Sequence, residues 1–158
     1  MTTPLHKELT EQLRKAQGQG EVTVEAQAED VTVVVDMEHC DRYAGGIRQI
    51  TVRPDAPLPD VGTTAGKIAE HINVIDPLQV VEVEGGEGRA ILRTTDPETD
   101  QEGVTYWEAT VTPDATTLQR FHKEHSEPDR AVVDEPLLHR ELGSLVDQVA
   151  EALEAARE

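Results

Sequence analysis

Two histidines three positions apart, His122 and His125 in the stretch HKEH, are the side chains best suited by type to hold a metal ion. On a helix that spacing sets two imidazoles on one face, with Glu124, Asp129 or His139 as a third ligand. The stretch lacks the i, i+4 histidines and the glutamate placement of the zinc-protease pattern HExxH, so ordinary exposed histidines are the competing reading. His39 and Cys40 form a second candidate, a thiol beside an imidazole. Neighbours on an extended chain point to opposite sides, so His39 is badly placed to activate that thiol. The parity of Val31, Val33, Val35 and Met37 continues through His39, which leaves Cys40 as an inert strand-end residue.

DPETDQEG places Asp96, Glu98, Asp100 and Glu102 at alternate positions, as a calcium loop would. Such a loop needs glycine at its sixth position and glutamate at its twelfth, and here those are Gln101 and Trp107. A solvated hairpin connection is expected. GGEGR, at Gly85 to Arg89, has neither the Lys-Ser or Lys-Thr nor the helix start of a phosphate cradle, and it reads as a turn between strands. Tyr106 and Trp107 are adjacent, so one ring faces the core and the other faces outward, where a ring beside a sheet edge suits peptide binding.

The composition narrows the function. Of 158 residues, 32 are acidic and 14 basic, with ten arginines against four lysines, giving a formal charge of −18. A chain without a basic patch is not expected to bind nucleic acid phosphates. Acids spread along the whole length fit adaptation to a salty cytoplasm; recruitment of basic partners, or a decoy that competes with nucleic acid for them, is the sharper reading. No apolar run approaches 18 residues, so no membrane span is expected, and MTTPLHKELTEQLRK does not read as a signal peptide. With one cysteine, a cytoplasmic location is the expectation. No cofactor motif stands out.

The elements that would position these residues follow from periodicity. Leu5, Leu9 and Leu13 stripe an N-terminal helix that starts near Pro4 and ends at Gly18 and Gly20. Val22, Val24, Ala26 and Ala28, then Val31, Val33, Val35 and Met37, predict a hairpin turning at Glu29-Asp30. IRQITV is a third strand ending at Pro54. Thr63 or Thr64 caps a helix carrying Ile68, Ile72 and Ile75. LQVVEVEGGEGRAILRT is a second hairpin turning at Gly85-Gly86, and VTYWEATV is a sixth strand with Trp107, Ala109 and Val111 on one face. A short helix is expected over 115–125. From Asp134 or Glu135 a long amphipathic helix carries Leu138, Leu142, Leu145, Val149, Ala152 and Ala156 at steps of three and four.

TVRPDA at 51–56 returns as TVTPDA at 110–115, and each copy leads through a Thr-Thr pair, TTAGKIAEHI and TTLQRFHKEH. Internal duplication is one explanation; the ordinary recurrence of proline after strands is the other. The expected fold is α+β in a single domain. Its parts are a helix plus a first antiparallel βββα unit (1–76), a second βββα unit (77–133) and the C-terminal helix (134–158). In this order of elements the chain resembles the type III secretion chaperone-like group, including its YbjN-type members, although VTYWEATV exceeds the simplest chaperone pattern. The resemblance implies homodimers that hold other proteins without doing chemistry. The functional expectation is therefore a non-enzymatic protein-binding or adaptor module, self-associating or bound to a protein partner. Its contact surface would be the stripe Leu138, Leu142, Leu145 and Val149, or an exposed strand edge. The alternative is a small-ligand or metal-dependent enzyme using the His122/His125 region.

Overall fold

The computed structural model describes residues 4–28, 30–84, 86 and 88–157. Valine-rich segments form most of a mixed-length antiparallel sheet, as β-branched side chains on a pleated surface favour. In chain order the elements are α1 (Leu5–Ala16), β1 (Val22–Ala28), β2 (Val31–Cys40), β3 (Ala44–Pro54), α2 (Val61–His71), β4 (Leu78–Glu84) and β5 (Arg89–Thr94). There follow β6 (Glu98–Thr99), β7 (Gly103–Val111), β8 (Thr116–Glu124), β9 (Ala131–Val133), β10 (Glu135–Leu138) and α3 (His139–Arg157). The order across the sheet is β1-β2-β3-β8-β7-β5-β4, so β1 and β4 are its edges. This is an α+β fold.

One face of the sheet is apolar: Val24, Val33, Val35, Ile50, Val52, Leu92, Trp107, Ala109 and Leu118 are buried there. The helices cover that face, α1 over β1, α2 over β4 and β5, and α3 between them against β3. Leu9 and Leu13 of α1, Ile68 of α2, and Leu142, Leu145 and Val149 of α3 complete the core. The sheet forks at its centre. β3 and β8 pair only over Ile50–Val52 and Thr116–Leu118. Beyond that point β9 pairs with Arg120–His122 of β8, and β10 with Ala44–Ile47 of β3. The tip of this β9–β10 wedge is held by ion pairs, Arg120 Nε to Glu135 Oε2 at 3.0 Å and Arg48 Nε to Asp134 Oδ1 at 3.5 Å.

Several sequence expectations are corrected. The helix expected over 115–125 is the strand β8. TTLQR alternates in burial from Thr116 to Arg120, and the register of the whole strand runs unbroken against β7 from Thr116↔Val111 to Glu124↔Gly103. The second Pro-Asp-Ala therefore closes a hairpin, in which Thr112 and Ala115 bond each other through Thr112 N to Ala115 O (2.9 Å) and Ala115 N to Thr112 Oγ1 (3.1 Å). The first copy instead leads into a loop and α2, whose cap is Asp60, accepting from Gly62 N and Thr63 N, and neither Thr63 nor Thr64. The second unit thus lacks its βββα helix, and the duplication is not confirmed. The C-terminal helix begins at His139, because Glu135-Pro136-Leu137-Leu138 is spent pairing with β3. The expected turns at Glu29 and Gly85 fall on residues outside those described.

Candidate functional site

His122 and His125 do not share a helical face. His122 lies on β8 with Nδ1 2.8 Å from Thr105 Oγ1 on the neighbouring β7, while His125 lies in the turn after β8 with Nε2 3.1 Å from the Asp100 carbonyl. Among the described residues, no group of three or more His, Cys, Asp or Glu is arranged to hold a metal ion. DPETDQEG contains β6 and its turn into β7, where Asp100 Oδ1 accepts from Glu102 N at 2.8 Å and Gly103 N at 2.9 Å. Those two backbone bonds hold the Asp100 carboxyl below its ordinary range.

The assignment of His39 and Cys40 is reversed. The β2–β3 register shifts between Asp36 and Met37 and again between Met37 and His39. Such bulges change which side chain faces inward. Cys40 is fully buried, while His39 is exposed and lies 3.1 Å from Asp41. The imidazole near the thiol belongs instead to His139, whose Nε2 is 3.8 Å from Cys40 Sγ. Trp107 is buried as one ring of the pair should be, but Tyr106 lies on β7 inside the sheet and stacks near Phe121 at a centroid distance of 6.0 Å. It borders no edge.

The stripe expected to form an interface is mostly core. Leu142, Leu145 and Val149 have no exposed surface, because α3 is sandwiched by α1, α2 and β3; only Leu138, ahead of the helix, reaches solvent. Among the described residues six large apolar side chains are exposed: Tyr43, Val80, Val81, Val83, Val132 and Leu138. Three of them sit on one strand, and two line one pocket.

The strand is β4. On its inner side it pairs with β5; its outer side has no partner strand among the described residues. A register shift between Val80 and Glu82 breaks the alternation, so Val80 and Val81 are both exposed, along with Glu82 and Val83. Glu82 lies beside Glu84, whose hydrogen bond and charge push the Glu82 carboxyl above its ordinary range. The opposite edge is built differently. On β1, Val24 and Ala26 are buried beneath α1, and the exposed residues are Thr23, Glu25 and Gln27. An edge strand with exposed apolar side chains is a template for another strand, whereas a polar one discourages pairing.

The pocket has a volume of about 720 Å³ and is lined by Thr10 and Arg14 of α1, Gln17 at its C-cap, Arg42 and Tyr43 between β2 and β3, and Leu138, His139 and Arg140 where β10 meets α3. Arg14 is 3.1 Å from Glu11, and Arg42 lies over the Tyr43 ring at 5.2 Å. Burial pushes the His139 imidazole below its ordinary range, against a hydrogen bond to Ala44 and the Asp41 charge. Neither this pocket nor the β4 edge was found from sequence. The pocket joins three distant segments, and the β4 valines read equally well as core.

The helix-free face carries an ionic cluster of two exposed arginines around one buried carboxylate. Glu108, 6% exposed, binds Arg93 Nε at 2.8 Å and Arg130 through both oxygens at 2.8 and 2.9 Å. The Arg130 guanidinium lies 3.7 Å from the Phe121 ring centroid. With Glu108 shared by both arginines, the cluster ties β5, β7 and the segment before β9 to one another.

These features define an α+β protein with one helix-covered sheet face, one apolar strand edge and one arginine-lined pocket. No protein-family model, curated protein or solved structure matches the chain.

Proposed function

We propose that this chain is a non-enzymatic protein-binding module that takes up an extended, basic segment of a partner as an added strand along β4. The contrast between the two sheet edges supports it. β1 presents polar side chains, while β4 presents Val80, Val81 and Val83 beside an unpaired backbone. Strand addition draws its affinity from main-chain hydrogen bonds and its specificity from alternate side chains. A cationic strand fits because Glu82 lies on this edge, beside Glu84, which Arg89 holds at 3.2 Å, in a chain whose charge is −18. In a homodimer joined here, the second copy would bring its own Glu82 and Glu84, and like charges across paired strands are unfavourable. The likeness in element order to type III secretion chaperone-like proteins points toward the same role, holding another protein in a cytoplasm, with the acidity serving solubility in salt.

A labelled heptapeptide of alternating lysine and valine, followed by fluorescence anisotropy, tests the reading. Binding is expected to be saturable and to weaken at least about tenfold in Val81→Lys/Val83→Lys. Thr23→Lys/Gln27→Lys, with the same change in charge at the other edge, is expected to bind as the parent does. Equal weakening in both variants would reduce the interaction to bulk charge and overturn the proposal. A doubled molar mass abolished by the β4 variant, with no peptide bound, would replace the partner strand by a second copy.

A further inference from the structure

The pocket between α1 and α3 has a composition that runs against the rest of the chain. About one residue in five is acidic, yet the eight lining residues include three arginines and a histidine and no carboxylate. Seven of the ten arginines form an ion pair: Arg14, Arg48, Arg89, Arg93, Arg120, Arg130 and Arg157. Arg42, Arg53 and Arg140 have no such partner among the described residues, and two of these three line this pocket. Of the nearby acids, Glu11 is paired with Arg14 of the pocket itself and Asp41 with His39, each at 3.1 Å, which leaves Arg42 and Arg140 without a carboxylate among the described residues. A strongly acidic protein that gathers unpaired guanidinium groups around a cavity of ligand size has a place where an anion is preferred.

We infer that this pocket binds a small molecule carrying two or more negative charges, a phosphomonoester or polycarboxylate, beside an apolar or aromatic body. The forks of Arg42 and Arg140 take the anionic group, since planar guanidinium matches phosphate and carboxylate oxygens bidentately. Arg14 is neutralised by Glu11, so the binding charge rests on Arg42 and Arg140. The Gln17 amide, at the C-cap of α1, offers a further side-chain donor, while the Thr10 hydroxyl is donated to the His6 carbonyl at 2.8 Å. Tyr43, 68% exposed, and Leu138 provide the apolar contact. This site is separate from the β4 edge, which lies in the other half of the sheet.

The test is titration calorimetry of the full chain with pyrophosphate, citrate and phenyl phosphate at one fixed ionic strength. At least one of the three is expected to bind saturably at one site per chain. Arg42→Gln/Arg140→Gln should weaken it at least about tenfold, since charge-assisted hydrogen bonds are lost. Arg53→Gln, which removes an exposed and unpaired arginine elsewhere, should leave it within about twofold. All three side chains are exposed, so the variants are expected to fold, and far-ultraviolet circular dichroism checks this. Absence of binding by all three anions, or equal binding by the double variant and the parent, would overturn the inference. Neither outcome bears on strand addition at β4.

Discussion

Cys40 Sγ and His139 Nε2 lie 3.8 Å apart, joining the end of β2 to the first residue of α3. Burial, helped by Asp41, pushes the thiol above its ordinary range, while burial pushes the imidazole below its own. Both groups are therefore neutral near pH 7, which makes the contact a structural one and no thiolate–imidazolium pair. Ellman's reagent is expected to react with native protein only as fast as the core opens, and at once after denaturation. Rapid stoichiometric labelling of the native chain would contradict this burial.

Glu108 links the pH response to the helix-free face. Burial works to raise its carboxyl, but the hydrogen bonds and charges of Arg130 and Arg93 outweigh it and hold the group below the ordinary range. A lowered carboxylate contributes stability that is complete above its unfolded value, near about 4.3, and is lost as the pH falls through the folded value. Denaturation at pH 7 should show Glu108→Gln less stable by about 2 kcal/mol, because two guanidinium groups lose their common acceptor. The difference between the variant and the parent should shrink below about pH 4. A difference that persists unchanged into acid would place its origin elsewhere.

The stripe of α3 separates core from interface by concentration. Leu145 has no exposed surface within its own chain. Leu145→Ala should therefore cost about 3 kcal/mol, and the loss should not depend on protein concentration. A Tm that climbs with concentration in the parent and falls toward a constant value in the variant would instead identify a seam between copies.

A formal charge of −18 acts on every element of the fold. Screening relieves self-repulsion, so molar KCl should raise Tm relative to dilute buffer by at least about 4 °C, the equivalent of about 1 kcal/mol for a domain of this size. An unchanged Tm would mean that the acids are spaced widely enough for the fold to tolerate them without salt.

Much of this fold was legible in side-chain periodicity, and the failures have physical causes. Leu5, Leu9 and Leu13 announced α1, and the alternating valines announced β1 and β2, because one face of each is solvated. β8 was misread because its Thr-Thr pair copies the one in the first turn of α2, while its own apolar alternation was interrupted by Arg120. That side chain is buried at the fork with Glu98 and Glu135, so its polarity concealed an inward position. His39 and Cys40 were exchanged because a bulge leaves no trace in local composition. The start of α3 was misplaced since Pro136 suits both a helix start and the wedge strand β10. The candidate sites were least legible. Arg14, Arg42 and Arg140 converge through tertiary packing alone, and a valine exposed on an edge strand looks like one buried at the centre of a sheet.

The most direct test of strand addition is amide hydrogen exchange resolved by NMR, with and without the alternating lysine–valine heptapeptide. Strand addition predicts new protection confined to alternate amides of β4, from Leu78 to Glu84, because one side of that strand lacks a partner among the described residues. Unchanged β4 amides, or protection spread evenly over acidic surfaces including β1, would contradict it.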